Sequence, residues 1–285
     1  MRLHSSLGDF RAYRASFEGG CVVVPTMGAL HAGHAALIRA GAALARERHL
    51  SAGCIVTVFV NPTQFNDPAD LEKYPRNLEA DAALCRQAGA DCVLAPSVHE
   101  VYPKPDFAPM PSLSAVAAGP GLEDASRPGH FQGVCQVVNR LFEITGPRCA
   151  VFGEKDWQQL QVVRAMNPVW GGRPVEVASV PTVREPDGLA MSSRNAQLPP
   201  SARRAAGGLA SAFMEAAKAK DWQDAERAAA GALGRTGAHV EYVAVREPST
   251  LMPLPPGAAE GRILWAVRLG GVRLIDNAPW RAASA

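Results

Sequence analysis

The chain has 285 residues, 47% of them hydrophobic and 20% charged, with a formal net charge of +2. That apolar fraction supports a buried core and excludes a disordered chain. The near-neutral balance argues against a surface built to coat nucleic acid, which needs clustered Lys and Arg. The chain opens on no leader-like segment, and no stretch reaches the roughly 18 apolar residues of a membrane span, so a cytoplasmic location away from the membrane is expected. The six cysteines, Cys21, Cys54, Cys85, Cys92, Cys135 and Cys149, form no CxxC pair. Buried free thiols are expected, with no disulfide framework or metal knuckle.

In chain order, "CVVVPT" at 21–26 reads as a buried strand, and the Ala- and Arg-rich stretch from His34 to His49 as a helix with Leu37, Ile38 and Leu44 on one face. "CIVTVFVN" at 54–61 predicts a second strand, "NLEADAALCRQAG" at 77–89 a helix stopped by glycine, and "DCVLAPS" at 91–97 a third strand. The stretch 103–129 is rich in Pro, Gly and Ser and predicts an irregular connection near the site. "GVCQVVNRLFEITG" at 133–146 predicts a helix, "CAVFGE" at 149–154 a fourth strand, and "QQLQVVRAMN" a helix after it. Strands alternate with helices and are apolar almost throughout, the pattern of a parallel sheet covered on both faces. A doubly wound α/β domain is expected over 1–178. Beyond it, "VEVASVPTVRE", two helical stretches at 199–219 and 221–236, and short strands from "HVEYVAVRE", "RILWAVRLGG" and "VRLIDNA" predict a smaller α+β domain over 179–285.

Open parallel sheets bind ligands at the carboxyl ends of their strands. Three expected strand ends carry the unusual polar groups: "PTMGALHAGH", "NPTQFN" and "GEKDWQQ". Neither GxGxxG nor GxxxxGK[ST] is present, which excludes the usual dinucleotide and P-loop fingerprints. Gly28 and Gly33 let backbone come close to a ligand, the helix starting near Gly33 offers free N–H groups, and His31 and His34 can donate to phosphate oxygens. A nucleotide phosphoryl fits that set. Zinc does not, because no third ligand is evident.

"PTMGALHAGH" resembles the HxGH element of the nucleotidylyltransferase superfamily, which implies a Rossmann-like sheet. "VFVNPTQFNDPADLEKYPR", "SRPGHFQGV", "FGEKDWQQL", "VPTVREPDGLAMSSRN" and "RLGGVRLIDN" extend the match along nearly the whole chain. Together they resemble the pantothenate synthetase (pantoate–beta-alanine ligase) family. The resemblance implies ATP- and magnesium-dependent condensation of D-pantoate with beta-alanine to pantothenate, AMP and diphosphate through a pantoyl adenylate, in a homodimer. It places Met27, Gly28, Ala29, Leu30, His31, Ala32, Gly33 and His34 along one wall of the ATP site, with His34 at the family's proton-donor position. By the same resemblance Gln64 and Gln159 bind pantoate, and His130 shapes its pocket. Gly153, Glu154, Lys155 and Asp156 form the second ATP loop, Val183 lines the adenosine pocket, and Met191, Ser192, Ser193 and Arg194 reach the phosphates from the smaller domain. His31, His34, Lys155 and Arg194 are the implied catalytic set, and Asp81 is placed near the metal. Gln132 stands where many relatives have arginine, which leaves that position's part in substrate contact open. Two other readings remain at this point: a nucleotidylyltransferase acting on a phosphorylated acceptor, whose pocket should need more Lys or Arg than these amides supply, and a non-catalytic nucleotide sensor, which need not keep His31, His34, Lys155 and Arg194.

Overall fold

The computed structural model describes residues 1–65, 68–103, 113–166, 169–170 and 172–284. The apolar runs become neighbours in one six-stranded sheet: β1 (Arg2–His4), β2 (Cys21–Thr26), β3 (Cys54–Val58), β4 (Cys92–Leu94), β5 (Pro147–Gly153) and, after a short ribbon of β6 (Val169–Trp170) with β7 (Arg173–Pro174), β8 (Glu176–Val180). The order is β1-β4-β3-β2-β5-β8, parallel throughout. Alternation along β2 explains why both faces must be covered. Val22 and Val24 pack with Ile38 and Ala42 of helix Ala32–Glu47, whereas Val23 packs with Val134, Val138 and Leu141 of helix His130–Thr145. The strand order reverses between β2 and β5, which opens a crevice beyond their carboxyl ends.

The smaller unit is a three-stranded antiparallel sheet of β9 (His239–Arg246), β10 (Glu260–Leu269) and β11 (Val272–Arg281), in the order β11-β10-β9. Its outer face buries Ile263, Trp265 and Val267 against small residues of three helices, Ala206, Ala212 and Ala229 among them. Its inner face gives Ala244 and Leu264 to the core that also holds Val23 and Phe152 of the first sheet. One apolar cluster therefore crosses between the two units.

Several expectations are refined. β1 and the helix Leu7–Ala15 were not foreseen, because β1 has only three residues and two of them are exposed. β8 straddles the expected boundary at residue 178, and its pairs Phe152↔Ser179 and Gly153↔Val180 keep those residues in the first sheet. The helical stretch at 199–219 is three short pieces, Pro200–Ala206, a 3-10 turn at Gly207–Ala210 and Ser211–Ala216, broken at the Gly207–Gly208 pair. Of the last strands, β11 continues past the expected end at Ala278 to Arg281, whereas β9 and β10 are no longer than their expected segments. Of the 103–129 connection, the described part carries two four-residue helices, Ala115–Ala118 and Glu123–Ser126; residues 104–112 lie outside the described residues. All six cysteines are buried and free, as the sequence implied.

Candidate active site

A cavity of about 270 Å³ lies in the crevice and is roofed by β10 and β11. Its first wall is the turn after β2. Ala29 takes a left-handed φ of 51°, a conformation a non-glycine residue keeps only when its surroundings hold it. Asp81 does so: Oδ2 accepts from the Ala29 N–H at 3.1 Å and Oδ1 from the Leu30 N–H at 2.8 Å. His31 then caps helix Ala32–Glu47, its Nδ1 accepting from the Gly33 N–H at 3.1 Å. A Cβ on residue 33 would sit 2.8 Å from the His31 ring, so a larger residue there would push the capping imidazole aside. His34 Nδ1 accepts from the His31 N–H at 3.3 Å, and the two rings lie 4.2 Å apart. With both Nδ1 atoms accepting, each neutral ring carries its proton on Nε2 and keeps it free to donate.

The second wall follows β3. Asn61 donates to Gln64 Oε1 at 3.1 Å and to the Gly133 carbonyl at 3.2 Å, which fixes which way the Gln64 amide faces. Helix His130–Thr145 approaches this turn so closely that a Cβ on Gly133 would fall 2.4 Å from the Thr63 carbonyl oxygen. The Gln64 carbonyl accepts from His130 Nδ1 at 3.0 Å and from Arg127 Nη2 at 3.3 Å, while Arg127 Nη1 lies 3.1 Å from His130 Nε2. The third wall is the turn after β5, where Lys155 Nζ lies 3.6 Å from Asp156. The fourth is the segment Met191–Arg194, tied down by the Met191 N–H to the Val183 carbonyl at 2.9 Å.

The cavity thus brings together Met27, His31, Gly33, His34, Gln64, His130, Gly153, Lys155, Asp156, Gln159, Val183, Met191, Ser192, Ser193 and Arg194. Gly28, Ala29, Leu30, Ala32 and Glu154 stand behind it as loop backbone and do not line it. Asp81 does not line it either. The carboxylate that the resemblance placed near magnesium is used on the turn's backbone, and among the described residues no group of three or more His, Cys, Asp or Glu could hold a metal ion. Gln132 is exposed and does not line the cavity. The guanidinium there comes from Arg127, which sequence reasoning missed although it lies in the quoted "SRPGHFQGV". Asn61, Tyr74, Glu123, Tyr242 and Asn277 were missed too. Asn61 and Tyr74 also lie within quoted blocks, whereas Glu123 and Tyr242 are placed only by tertiary contact.

Burial and the neighbouring His31 push the His34 imidazole down to about 3. Burial and the Arg127 charge push His130 down to about 4, and burial with Lys155 lowers His31. All three are neutral at pH 7. Unfolded histidines titrate near 6.5, so between that pH and the folded values the unfolded chain takes up protons that the folded one refuses. The stability these groups contribute is full above about 6.5 and is lost as pH falls, by about 1.4 kcal/mol per pH unit for His34 and for His130 until their folded values are reached. The melting temperature should therefore drop between pH 7 and pH 5, before most carboxylates titrate. A melting temperature constant over that range would mean that the folded rings accept protons. At Asp156, burial raises the carboxyl, but Lys155, Arg194 and Arg127 outweigh it and hold it below its ordinary value. The guanidinium groups of Arg127 and Arg194 have no carboxylate within ion-pair distance among the described residues, although both line the cavity.

Comparison with known proteins agrees with this geometry. The profile of the family described as pantoate-beta-alanine ligase matches residues 3–279. The pantothenate synthetase of Roseiflexus castenholzii is 46% identical over 283 residues, covering 97% of this chain and 98% of its own, and that of one Cereibacter sphaeroides strain is 47% identical over 262 residues, covering 90% of each. The crystal structure of pantothenate synthetase from Thermus thermophilus superposes with a TM-score of 0.86 at 42% identity, covering 98% of this chain and 99% of its own. The pantoate-beta-alanine ligase from Francisella tularensis, complexed with beta-gamma ATP and beta-alanine, gives 0.76 at 31% identity, covering 98% and 97%. The chain belongs to the pantoate-beta-alanine ligase family.

Proposed function

We propose that this cavity carries out the family's reaction, the ATP-dependent, AMP-forming ligation of pantoate and beta-alanine to pantothenate, in two steps. A pantoate carboxylate oxygen attacks the α-phosphorus, the bond to the β-phosphate oxygen breaks, and diphosphate leaves. The amine nitrogen of beta-alanine then attacks the acyl carbon, the acyl bond to AMP breaks, and a proton is released. The observation that carries this reading is the charge arrangement: two guanidiniums free of carboxylate partners among the described residues, together with Lys155, face two neutral Nε2–H imidazoles. Such a site favours a polyanion and meets the charge that grows on a transferring phosphoryl with fixed donors.

In this reading His34 and His31 donate to the α-phosphoryl oxygens, and the low proton affinity of His34 makes it a hydrogen-bond donor with its proton retained. Lys155 and Arg194 meet the phosphates from opposite sides, with Ser192 and Ser193 beside Arg194. Gln64 and Gln159 take the acid's carboxylate and hydroxyls; the Gln159 amide has no partner of its own among the described residues. Phe59, Phe65 and Val134 give apolar surface for the geminal methyls. ATP would bring magnesium with it, and the ion would supply charge neutralisation at the phosphates. Among the described residues no group of three or more His, Cys, Asp or Glu is placed to hold it: Asp81 holds the turn, Glu123 and Asp276 face arginines, and Asp156 lies beside Lys155. Residues 1–178 act as the ATP- and pantoate-binding unit and 179–285 as its cover, apart from the end of β8. A homodimer and a cytoplasmic location belong to the same reading, supported by the resemblance; among the described residues no helix is long and apolar enough to cross a membrane.

Positional isotope exchange tests the first step. With ATP labelled at the α,β-bridging oxygen, scrambling is expected with pantoate alone. Scrambling that requires beta-alanine would rule out an independent adenylation.

A further inference from the structure

The block "RLGGVRLIDN" has no role in the reaction as described so far, yet it forms the end of β10 and the first half of β11. Residues two apart on a strand share a face, and the Arg273 and Asn277 side chains both reach across to the first unit. Arg273 grips Glu123 with two hydrogen bonds of 2.7 Å, and Tyr242 donates to the same carboxylate at 2.9 Å. Glu123 opens the short helix that leads to Arg127 and His130, the two side chains on the Gln64 carbonyl. Four residues further on, Asn277 Nδ2 donates to the Glu154 carbonyl at 2.9 Å and to the Lys155 carbonyl at 2.8 Å. Arg262 donates to Asn277 Oδ1 at 2.7 Å, so the amide cannot turn over. Arg262 itself lies 3.3 Å above the Trp157 ring and 3.4 Å from Glu154.

We infer that β11 is a two-point positioning strand: Arg273, through Glu123, sets the acid side of the cavity, and Asn277 sets the turn that carries Lys155 on the phosphate side. This rests on the assignment of acid and phosphate sides made above. Arg273 does not line the cavity, and Asn277, which does, has both ends of its amide engaged by protein. The spacing of four residues along one rigid strand fixes the distance between the two halves of the site.

Two variants of the full-length chain test it by opposite signatures. Arg273→Lys keeps the charge but loses the two-pronged grip. It should raise the KM for pantoate roughly tenfold, the size of a lost hydrogen bond or two, and leave the KM for ATP within about twofold. Asn277→Ala should lower the rate of adenylate formation about 10- to 100-fold, as a displaced charged group would, with pantoate affinity little changed. Tyr242→Phe and Arg262→Lys report on the same two arms with smaller perturbations and decide the matter if a stronger variant does not fold. A purely structural role would lower the melting temperature and move both constants together or neither, and either result overturns the inference. Wild-type isotope exchange, measured alongside, keeps the cases apart: wild-type chain that fails to scramble on pantoate sinks the assignment of the sides, whereas normal exchange with unsplit variants sinks only the positioning role.

Discussion

Replacing His34 by alanine should lower adenylate formation about 10²- to 10⁴-fold, the range for a lost donor at a transferring phosphoryl. The residue does two things at once, because Nδ1 caps the His31 N–H while Nε2–H remains free. His34→Asn separates them. Its side-chain oxygen can still accept from the cap, but no donor stands where Nε2–H was. Single-turnover formation of pantoyl adenylate should stay slow in both variants. Near-normal turnover in the asparagine variant would reduce His34 to a capping residue, and near-normal turnover in the alanine variant would remove it from the chemistry altogether.

Replacing Asp81 by alanine should have the largest effect on stability. It strips the acceptor from two half-buried backbone donors and releases a turn whose Ala29 is held left-handed. Two charge-assisted hydrogen bonds lost from a partly buried turn cost about 3–5 kcal/mol, which lowers the melting temperature of a chain this size by roughly 6–15 °C. Activity should fall with it, since the same turn carries both imidazoles. Asp81→Asn distinguishes this role from metal binding. If the carboxylate holds only the turn, the magnesium concentration giving half-maximal activity should be unchanged in the asparagine variant. A large rightward shift in that concentration would return Asp81 to the metal.

The sequence made the carboxyl edge of the sheet legible because apolar strands there end in residues that an ordinary turn does not need. "PTMGALHAGH" places two imidazoles and two glycines where a buried strand must meet a helix, and the structure gives each imidazole a backbone partner. Motif reading was less able to separate residues that face the cavity from residues that hold those that do. Ala29 and Leu30 were read as part of the ATP wall and Asp81 as lying near the metal, whereas the Asp81 carboxylate accepts from the backbone of both. Arg127 was overlooked for a physical reason. It stands in the turn between two helices and reaches the cavity only because that turn folds onto the Gln64 carbonyl, whereas Gln132, inside the next helix, points to solvent. Glu123 and Arg273 are 150 residues apart, and nothing local in either segment announces the pair. The three-residue β1 lacks the length that makes a strand visible in a pattern.

The position of β11 in the chain bears on how the protein is made. The first sheet is complete once Val180 has been synthesised, but about 90 residues still separate it from Val272, where β11 begins. At ribosomal speeds of about 5–20 residues per second, that gap lasts roughly 5–20 s. During it a nascent chain can fold the sheet and both imidazoles while the Lys155 turn lacks Asn277 and the acid side lacks Arg273. On the positioning role inferred for β11, the translating chain should adenylate pantoate only slowly until that strand docks. Activity should arrive late and all at once, when the strand spanning both halves of the cleft emerges and docks.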